Sequence, residues 1–244
     1  FVDVPLKELF ADAYTEIRRP LIDMQKASLE ARPGDPLEMV AVKESGLFRP
    51  GVGGTTTCVI ADRWGNVVSA TPSANVPLEG LDAGQAGVSY GNRLRSLNTT
   101  PGHPNCIQPG KRPRITLTPT MVLKDGSPIL AISVAGGDLQ DQATLGLLLD
   151  FIEFDMAPET AVIAPRFATA HHQDSFDPNP NREQTFLKAG SLNISDKVSP
   201  EIRDELARRG HEVEAKGSPI AVPVMLHVDR ESGMYYAAGD PDTG

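Results

Sequence analysis

The sequence is short of the residues that build covalent or metal scaffolds. Two cysteines, Cys58 and Cys106, stand among 244 residues. They can close one disulfide at most, which excludes a disulfide framework and a four-cysteine zinc site. Cys58 sits in an apolar run and reads as a buried free thiol rather than a reactive one. Five histidines show no HExxH-type spacing, and the adjacent His171-His172 on a strand would face opposite ways, so no metal site is expected. Positive charge is also short: 23 Lys and Arg against 32 Asp and Glu, a net −9. Apart from Lys111-Arg112-Pro113-Arg114 the basic residues are scattered, which argues against a nucleic-acid partner. No apolar run approaches the roughly 18 residues of a membrane span, so no membrane partner is expected. There is no internal repeat and no low-complexity tract. Phe1 opens the chain without a signal-peptide pattern, and an upstream segment is expected to precede it.

What is present is an ordinary globular composition, 40% hydrophobic and 23% charged, long enough for one large domain or a major part of one. Residues 1–31 read as helix interrupted at Pro20, and 32–54 as a Pro- and Gly-punctuated connector. Two β-branched runs, Thr56 to Ala61 and Val67 to Thr71, flank Asp62-Arg63-Trp64-Gly65-Asn66 as a hairpin. Residues 75–114 look irregular. A second hairpin turns at Lys124-Asp125-Gly126-Ser127, between Met121–Leu123 and Ile129–Val134. A helix is expected from Leu139 to Phe154 with an apolar face through Leu145, Leu148, Leu149 and Ile152. A short helix follows near Pro158 to Ile163, then a loop at 173–183. Another helix starts after Ser199 and stops at Gly210, and a last hairpin pairs Val222–Val228 with Met234–Ala238. Hairpins interleaved with helices predict an α+β layered domain with a mainly antiparallel sheet.

Two places could carry chemistry. Gly53-Gly54-Thr55-Thr56-Thr57 lies where the Gly-rich connector meets the first strand. Read plainly, threonine favours strands and glycine favours loops. Read for chemistry, cleavage of the Gly54–Thr55 bond would leave Thr55 with a free α-amine. That amine, with an intrinsic pKa of about 7.7–8.0, is partly neutral near pH 7 and can take the hydroxyl's proton. Ala135-Gly136-Gly137, between an apolar strand and a helix, is either a tight turn or a pair of unshielded backbone N–H groups suited to an oxyanion hole.

The run Thr55-Thr56-Thr57-Cys58-Val59-Ile60-Ala61-Asp62-Arg63-Trp64-Gly65-Asn66 resembles the start of the small subunit of γ-glutamyltransferases (γ-glutamyltranspeptidases). Lys111-Arg112-Pro113 with Thr118-Pro119-Thr120, Gly136-Gly137, Ala164-Pro165-Arg166-Phe167 and Gly239-Asp240-Pro241 follow in the family's order. The resemblance implies the four-layer αββα sandwich of N-terminal nucleophile (Ntn) hydrolases. Residues 1–54 would be the end of the large-subunit region and 55–244 the small-subunit catalytic region, both parts of one domain completed by an upstream large-subunit segment of the same proenzyme. It implies no metal or organic cofactor, a small-molecule amide substrate, and room for a higher oligomer of processed heterodimers. The compartment stays open, since such relatives are both exported and cytosolic.

Carried over position by position, the resemblance makes Gly54–Thr55 the autoprocessing bond and Thr55 the nucleophile. Ser73 matches a hydroxyl that assists it, Gly136 and Gly137 the oxyanion pair, and Asn75 and Thr116 substrate-binding positions. Asn92-Arg93 matches an element beside the pocket. The departures concern the substrate. Thr57 replaces a histidine, Ile115 replaces one of two serines, and Ser96 stands where the family has an acidic residue for the substrate's ammonium. A buried ammonium without an anion costs several kcal/mol, so a glutathione-like donor is disfavoured. Arg93, if it faces the pocket, suits an acidic acyl group. An autoprocessed threonine amide hydrolase or acyltransferase is expected. The rivals are a true γ-glutamyltransferase, told apart by γ-glutamyl-p-nitroanilide with and without an acceptor, and an inactive or unprocessed relative.

Overall fold

The computed structural model describes residues 4–30, 32–42, 55–73, 93–176, 179–181, 184 and 188–243. Gly54, Asn75 and Asn92 lie outside the described residues. In chain order the elements are α1 (Leu6–Leu9), α2 (Asp12–Arg18), β1 (Cys58–Ala61), β2 (Val67–Ala70), β3 (Thr120–Lys124), β4 (Ser127–Ala135), α3 (Gln140–Ile152), α4 (Pro158–Ala161), β5 (Phe167–Ala168), β6 (Ser191–Ser195), α5 (Pro200–Arg208), β7 (Glu212–Lys216), β8 (Val222–Val228) and β9 (Tyr235–Gly239).

β3, β4, β8 and β9 form one antiparallel sheet in that order. Alternation along β4 sends its side chains to two faces. Leu130, Ile132 and Val134 are fully buried and pack with Ala143 and Leu147 of α3 and Ala161 of α4. Burying each of the larger side chains contributes about 1.5–3 kcal/mol. The intervening Ser133 faces the other way. Its hydroxyl donates to Ala70 O (2.8 Å) and meets Thr71 Oγ1 (2.8 Å), while Ser69 Oγ donates to Ile132 O (2.6 Å). The β1–β2 hairpin therefore lies on the face of the sheet opposite α3 and α4. Its turn is set by Asp62, which accepts N–H bonds from Trp64 and Asn66 (both 2.9 Å). The Asn66 side-chain amide, first among the groups around Asp62, holds its carboxyl below the usual range. Gly65 closes the turn at φ +84°.

A third sheet orders β5, β6 and β7. β6 and β7 run parallel, from Ser191↔Glu212 to Ser195↔Lys216, with α5 as their crossover. The fold is α+β, and the expectation of mainly antiparallel pairing holds among the described strands, with β6–β7 the parallel exception. Alternating Ser191-Leu192-Asn193-Ile194, then the helix between Ser199 and Gly210, then Glu212-Val213-Glu214 is the βαβ signal that marks this pair.

Two helices differ from expectation. The stretch expected as helix over residues 1–31 breaks between α1 and α2 and ends in a 3₁₀ turn, Arg19–Leu21. No residue of α1 is buried, and short helices owe most of their stability to packing an apolar face. In α3 the buried residues are Gln140, Ala143, Thr144 and Leu147; of the expected apolar face Leu148 packs against the core, while Leu145, Leu149 and Ile152 are exposed. Both sets satisfy the same helical spacing. The buried set wins because its polar members find buried partners: Thr144 Oγ1 meets Thr118 Oγ1 at 3.1 Å, and the fully buried Gln140 amide, assigned with its nitrogen toward the carbonyls, donates to Val134 O (2.8 Å) and Thr116 O (3.2 Å). His171 and His172 are on no strand, and Cys58 is half-buried and free.

Candidate active site

Thr55 lies three residues ahead of β1, and Ser73 three residues beyond β2. The hairpin register pairs Cys58 with Ala70, and Thr56 N–H donates to Pro72 O at 2.9 Å. Continuing that ladder sets Thr55 opposite Ser73, and their hydroxyl oxygens are 3.0 Å apart. Both are half-buried. Ser69 and Thr71 are bonded to Ile132 and Ser133 in turn, which ties the hairpin that carries this pair to β4.

Arg93 opens the 3₁₀ turn Arg93–Ser96 and reaches Ser73. Its Nη2 donates to Ser73 Oγ, and its Nε donates to Ser73 O at 3.4 Å. The guanidinium lies over Phe176, 5.3 Å from the ring centroid. The turn is tied down by Ser96, buried, whose hydroxyl bonds to Arg93 O and Arg114 O (each 2.8 Å).

Gly136 and Gly137 lead from β4 into α3 through a 3₁₀ turn, with φ of +156° and +60°. Conformations with such positive φ favour glycine. The next residue, Asp138, accepts the N–H of Ser175 (3.0 Å) and also the Ser175 hydroxyl. Ser175 precedes Phe176, so a chain of contacts runs from the Gly-Gly turn through Asp138, Ser175, Phe176 and Arg93 to Ser73 and Thr55. Sequence reasoning missed Asp138, Ser175, Phe176 and Gln140. Their contacts span long separations, and no local motif announces them.

Gly137 also borders an open cleft of about 750 Å³ shared with Arg114, Thr116, Gln142 and His172. Thr116 Oγ1 is buried and, among the described residues, has no hydrogen-bond partner. Thr55 and Ser73 are not among the cleft's lining residues. The site residues thus fall in two groups, Thr55–Ser73–Arg93 and Gly137–Thr116. Among the described residues no cluster of His, Cys, Asp and Glu could hold a metal ion, and no helix is long and apolar enough to cross a membrane.

A family model described as gamma-glutamyltranspeptidase matches residues 1–244. The chain belongs to that family. It is 29% identical over 246 residues to the glutathione hydrolase proenzyme of Bacillus subtilis (strain 168), covering 98% of this chain and 39% of the relative. It is 28% identical over 219 residues to the acylase ACY 1 proenzyme of Pseudomonas sp. (strain SE83), covering 87% of this chain and 33% of the relative. The chain therefore spans about two fifths or less of the length of these precursors. An acivicin-inhibited gamma-glutamyltranspeptidase is similar in structure, with a TM-score of 0.58 and 26% identity. That match takes in 77% of this chain and 98% of the solved one.

Proposed function

We propose that this chain is the C-terminal part of an autoprocessed threonine-nucleophile amide hydrolase, with residues 1–54 ending the large-subunit region and 55–244 forming the small-subunit region. The observation that carries the reading is the 3.0 Å contact between Thr55 and Ser73 hydroxyls at the family's processing point. The helix–sheet–hairpin stacking is compatible with the four-layer αββα sandwich of Ntn hydrolases, whose second helical layer an upstream segment would supply.

In processing, Thr55 Oγ1 attacks the Gly54 carbonyl. The Gly54–Thr55 C–N bond gives way to an ester, the hydroxyl proton passing to the departing nitrogen so that the Thr55 α-amine is freed; water then hydrolyses the ester to release the Gly54 carboxylate and restore the Thr55 hydroxyl. In turnover Thr55 Oγ1 attacks a substrate amide carbon and its proton passes to the α-amine. The Gly136 and Gly137 N–H groups hold the oxyanion. The C–N bond then breaks, the leaving amine takes the proton, and an acyl ester remains on Thr55. Water attacks that ester, gives a proton to the α-amine, and releases the acid as the Thr55 oxygen regains its proton. Asn75 and Thr116 would bind substrate. Arg114 borders the cleft, so amides of acidic acyl groups are the substrates to try first.

A glutathione-like donor fits less well, because Ser96 spends its hydroxyl on two backbone carbonyls and brings no negative charge to an ammonium. Hydrolysis of γ-glutamyl-p-nitroanilide, stimulated by a dipeptide acceptor, would reverse that judgement. The test of the main reading is intact mass of the full-length protein beside Thr55→Ala. Wild type should split between Gly54 and Thr55 while the variant stays whole. If neither splits, the inactive or unprocessed relative is the better reading.

A further inference from the structure

We infer that Arg93 is a positioning residue for the nucleophile, acting through Ser73 rather than on the substrate. The inference rests on Thr55 being the nucleophile. Arginine has donors only and is charged at any working pH. Its Nη2 donates to Ser73 Oγ and its Nε to the carbonyl of the same residue, at 3.4 Å. One planar fork thus holds both the side chain and the backbone of Ser73. The fork is itself placed from two sides. Ser96 fixes the carbonyl of Arg93, and the Phe176 ring lies under the guanidinium, anchored next door by Ser175 and Asp138.

The consequence is a direction for one hydroxyl proton. Ser73 Oγ has one O–H and two lone pairs. One lone pair receives the guanidinium, and a cation there strengthens the O–H as a donor and weakens the oxygen as an acceptor. Thr55 Oγ1, 3.0 Å away, therefore receives the Ser73 proton as a hydrogen bond. As the Thr55 proton leaves for its base, negative charge builds on Oγ1 opposite a polarised donor. Ser73 keeps its own proton throughout and is not the base. No bond to Ser73 or Arg93 is made or broken.

Self-cleavage separates this role from substrate anchoring, because it uses the same nucleophile with no acyl substrate present. Full-length wild type, Thr55→Ala, Arg93→Gln and Arg93→Lys would be followed by intact mass over time, with melting temperatures measured on each. Arg93→Gln should slow self-cleavage at least about tenfold, the scale of one lost polar contact to a reacting group. Arg93→Lys should recover part of the rate, since an ammonium can donate to Ser73 Oγ without bridging both oxygens. After cleavage, kcat for an acidic acyl p-nitroanilide should fall more than KM rises. Self-cleavage of Arg93→Gln at the wild-type rate would overturn the inference and leave Arg93 a substrate anchor. Equal loss in the Gln and Lys variants together with a lowered melting temperature would overturn it too, leaving a merely structural arginine. A Thr55→Ala chain that splits, or a wild type that does not, sinks the nucleophile reading itself and is recognised without either Arg93 variant.

Discussion

Gly136 and Ala221 are packed so closely that a β-carbon on Gly136 would lie 3.0 Å from Cβ of Ala221. Ala221 is itself held at φ +64°, directly after Ile220, whose carbonyl accepts Arg166 Nε at 2.9 Å. The turn at the end of β4 therefore has a rigid wall behind it. Gly136→Ala should cost about 1–3 kcal/mol from crowding and backbone strain together. Gly137 has open space where its β-carbon would go but φ +60°, so Gly137→Ala should cost only about 1 kcal/mol. Thermal melts of both variants check the difference. If the turn is the oxyanion site, self-cleavage of Gly136→Ala should fall further than its melting temperature accounts for.

The wall depends on a buried ion pair. Arg166 and Asp240, with side chains 11% and 5% exposed, join two segments 74 residues apart. Arg166 also donates to Val162 O, so one guanidinium ties the end of α4, the strand β8 entry and the residue after β9. Asp240→Ala would strand a buried cation and should cost about 3–5 kcal/mol. Denaturant unfolding measures it. A loss below about 1 kcal/mol would mean the pair is solvated in solution.

A pH dependence follows from Asp150 on α3. Burial pushes its carboxyl above the usual value, with the Arg166 charge opposing in smaller measure. With the folded value raised, the unfolded chain gives up this proton first, so folding loses stability as pH rises through the window above the unfolded value. Asp150→Asn should therefore raise the melting temperature at pH 7 and leave it nearly unchanged at pH 3. An equal shift at both values would locate the effect elsewhere.

The elements with strong local signals were legible in the sequence: both hairpins around Asp62 and Asp125, the span of α5 with its stop at Gly210, and the Gly-Gly turn; the expected cap at Ser199 was not, since its side chain makes no capping bond to the helix. The Thr55–Ser73 contact was implied by the family's motif alone, and the observed hairpin register accounts for it. What was hidden depends on partners far along the chain. The inward face of α3 could not be chosen from spacing, since Leu145, Leu149 and Ile152 fit it as well as Gln140, Thr144 and Leu147 do. Only Thr118 and the carbonyls of Thr116 and Val134 decide it. The orientation of Arg93 was hidden for the same reason, as Ser73 is 20 residues away and Phe176 is further still.

Ser73 yields a direct prediction. Its hydroxyl is the group that meets Thr55 Oγ1, so Ser73→Ala should slow self-cleavage by about 10- to 100-fold, within the range for one positioned polar group. Ser73→Thr, which keeps the hydroxyl, should stay within a few-fold of wild type. Intact mass over time reads both. Similar slowing in the two variants would show that the shape of the side chain matters and the hydroxyl does not.

Placing at position 96 the acidic residue that the resemblance to the family implies tests whether substrate preference can be grafted by one change. Ser96 is buried, and its hydroxyl bonds to the carbonyls of Arg93 and Arg114 at 2.8 Å each. An ionised aspartate has no proton to donate there, so its oxygens would face two carbonyl oxygens. Ser96→Asp should therefore cost about 2–4 kcal/mol, through lost hydrogen bonds and a poorly paired buried charge. It should also move the 3₁₀ turn that carries Arg93 and slow self-cleavage, without creating activity on γ-glutamyl-p-nitroanilide. Melting temperature, self-cleavage rate and that assay are read together. A stable, self-cleaving Ser96→Asp protein that releases p-nitroaniline would mean the turn tolerates the carboxylate and that the ammonium site lacked nothing but its charge.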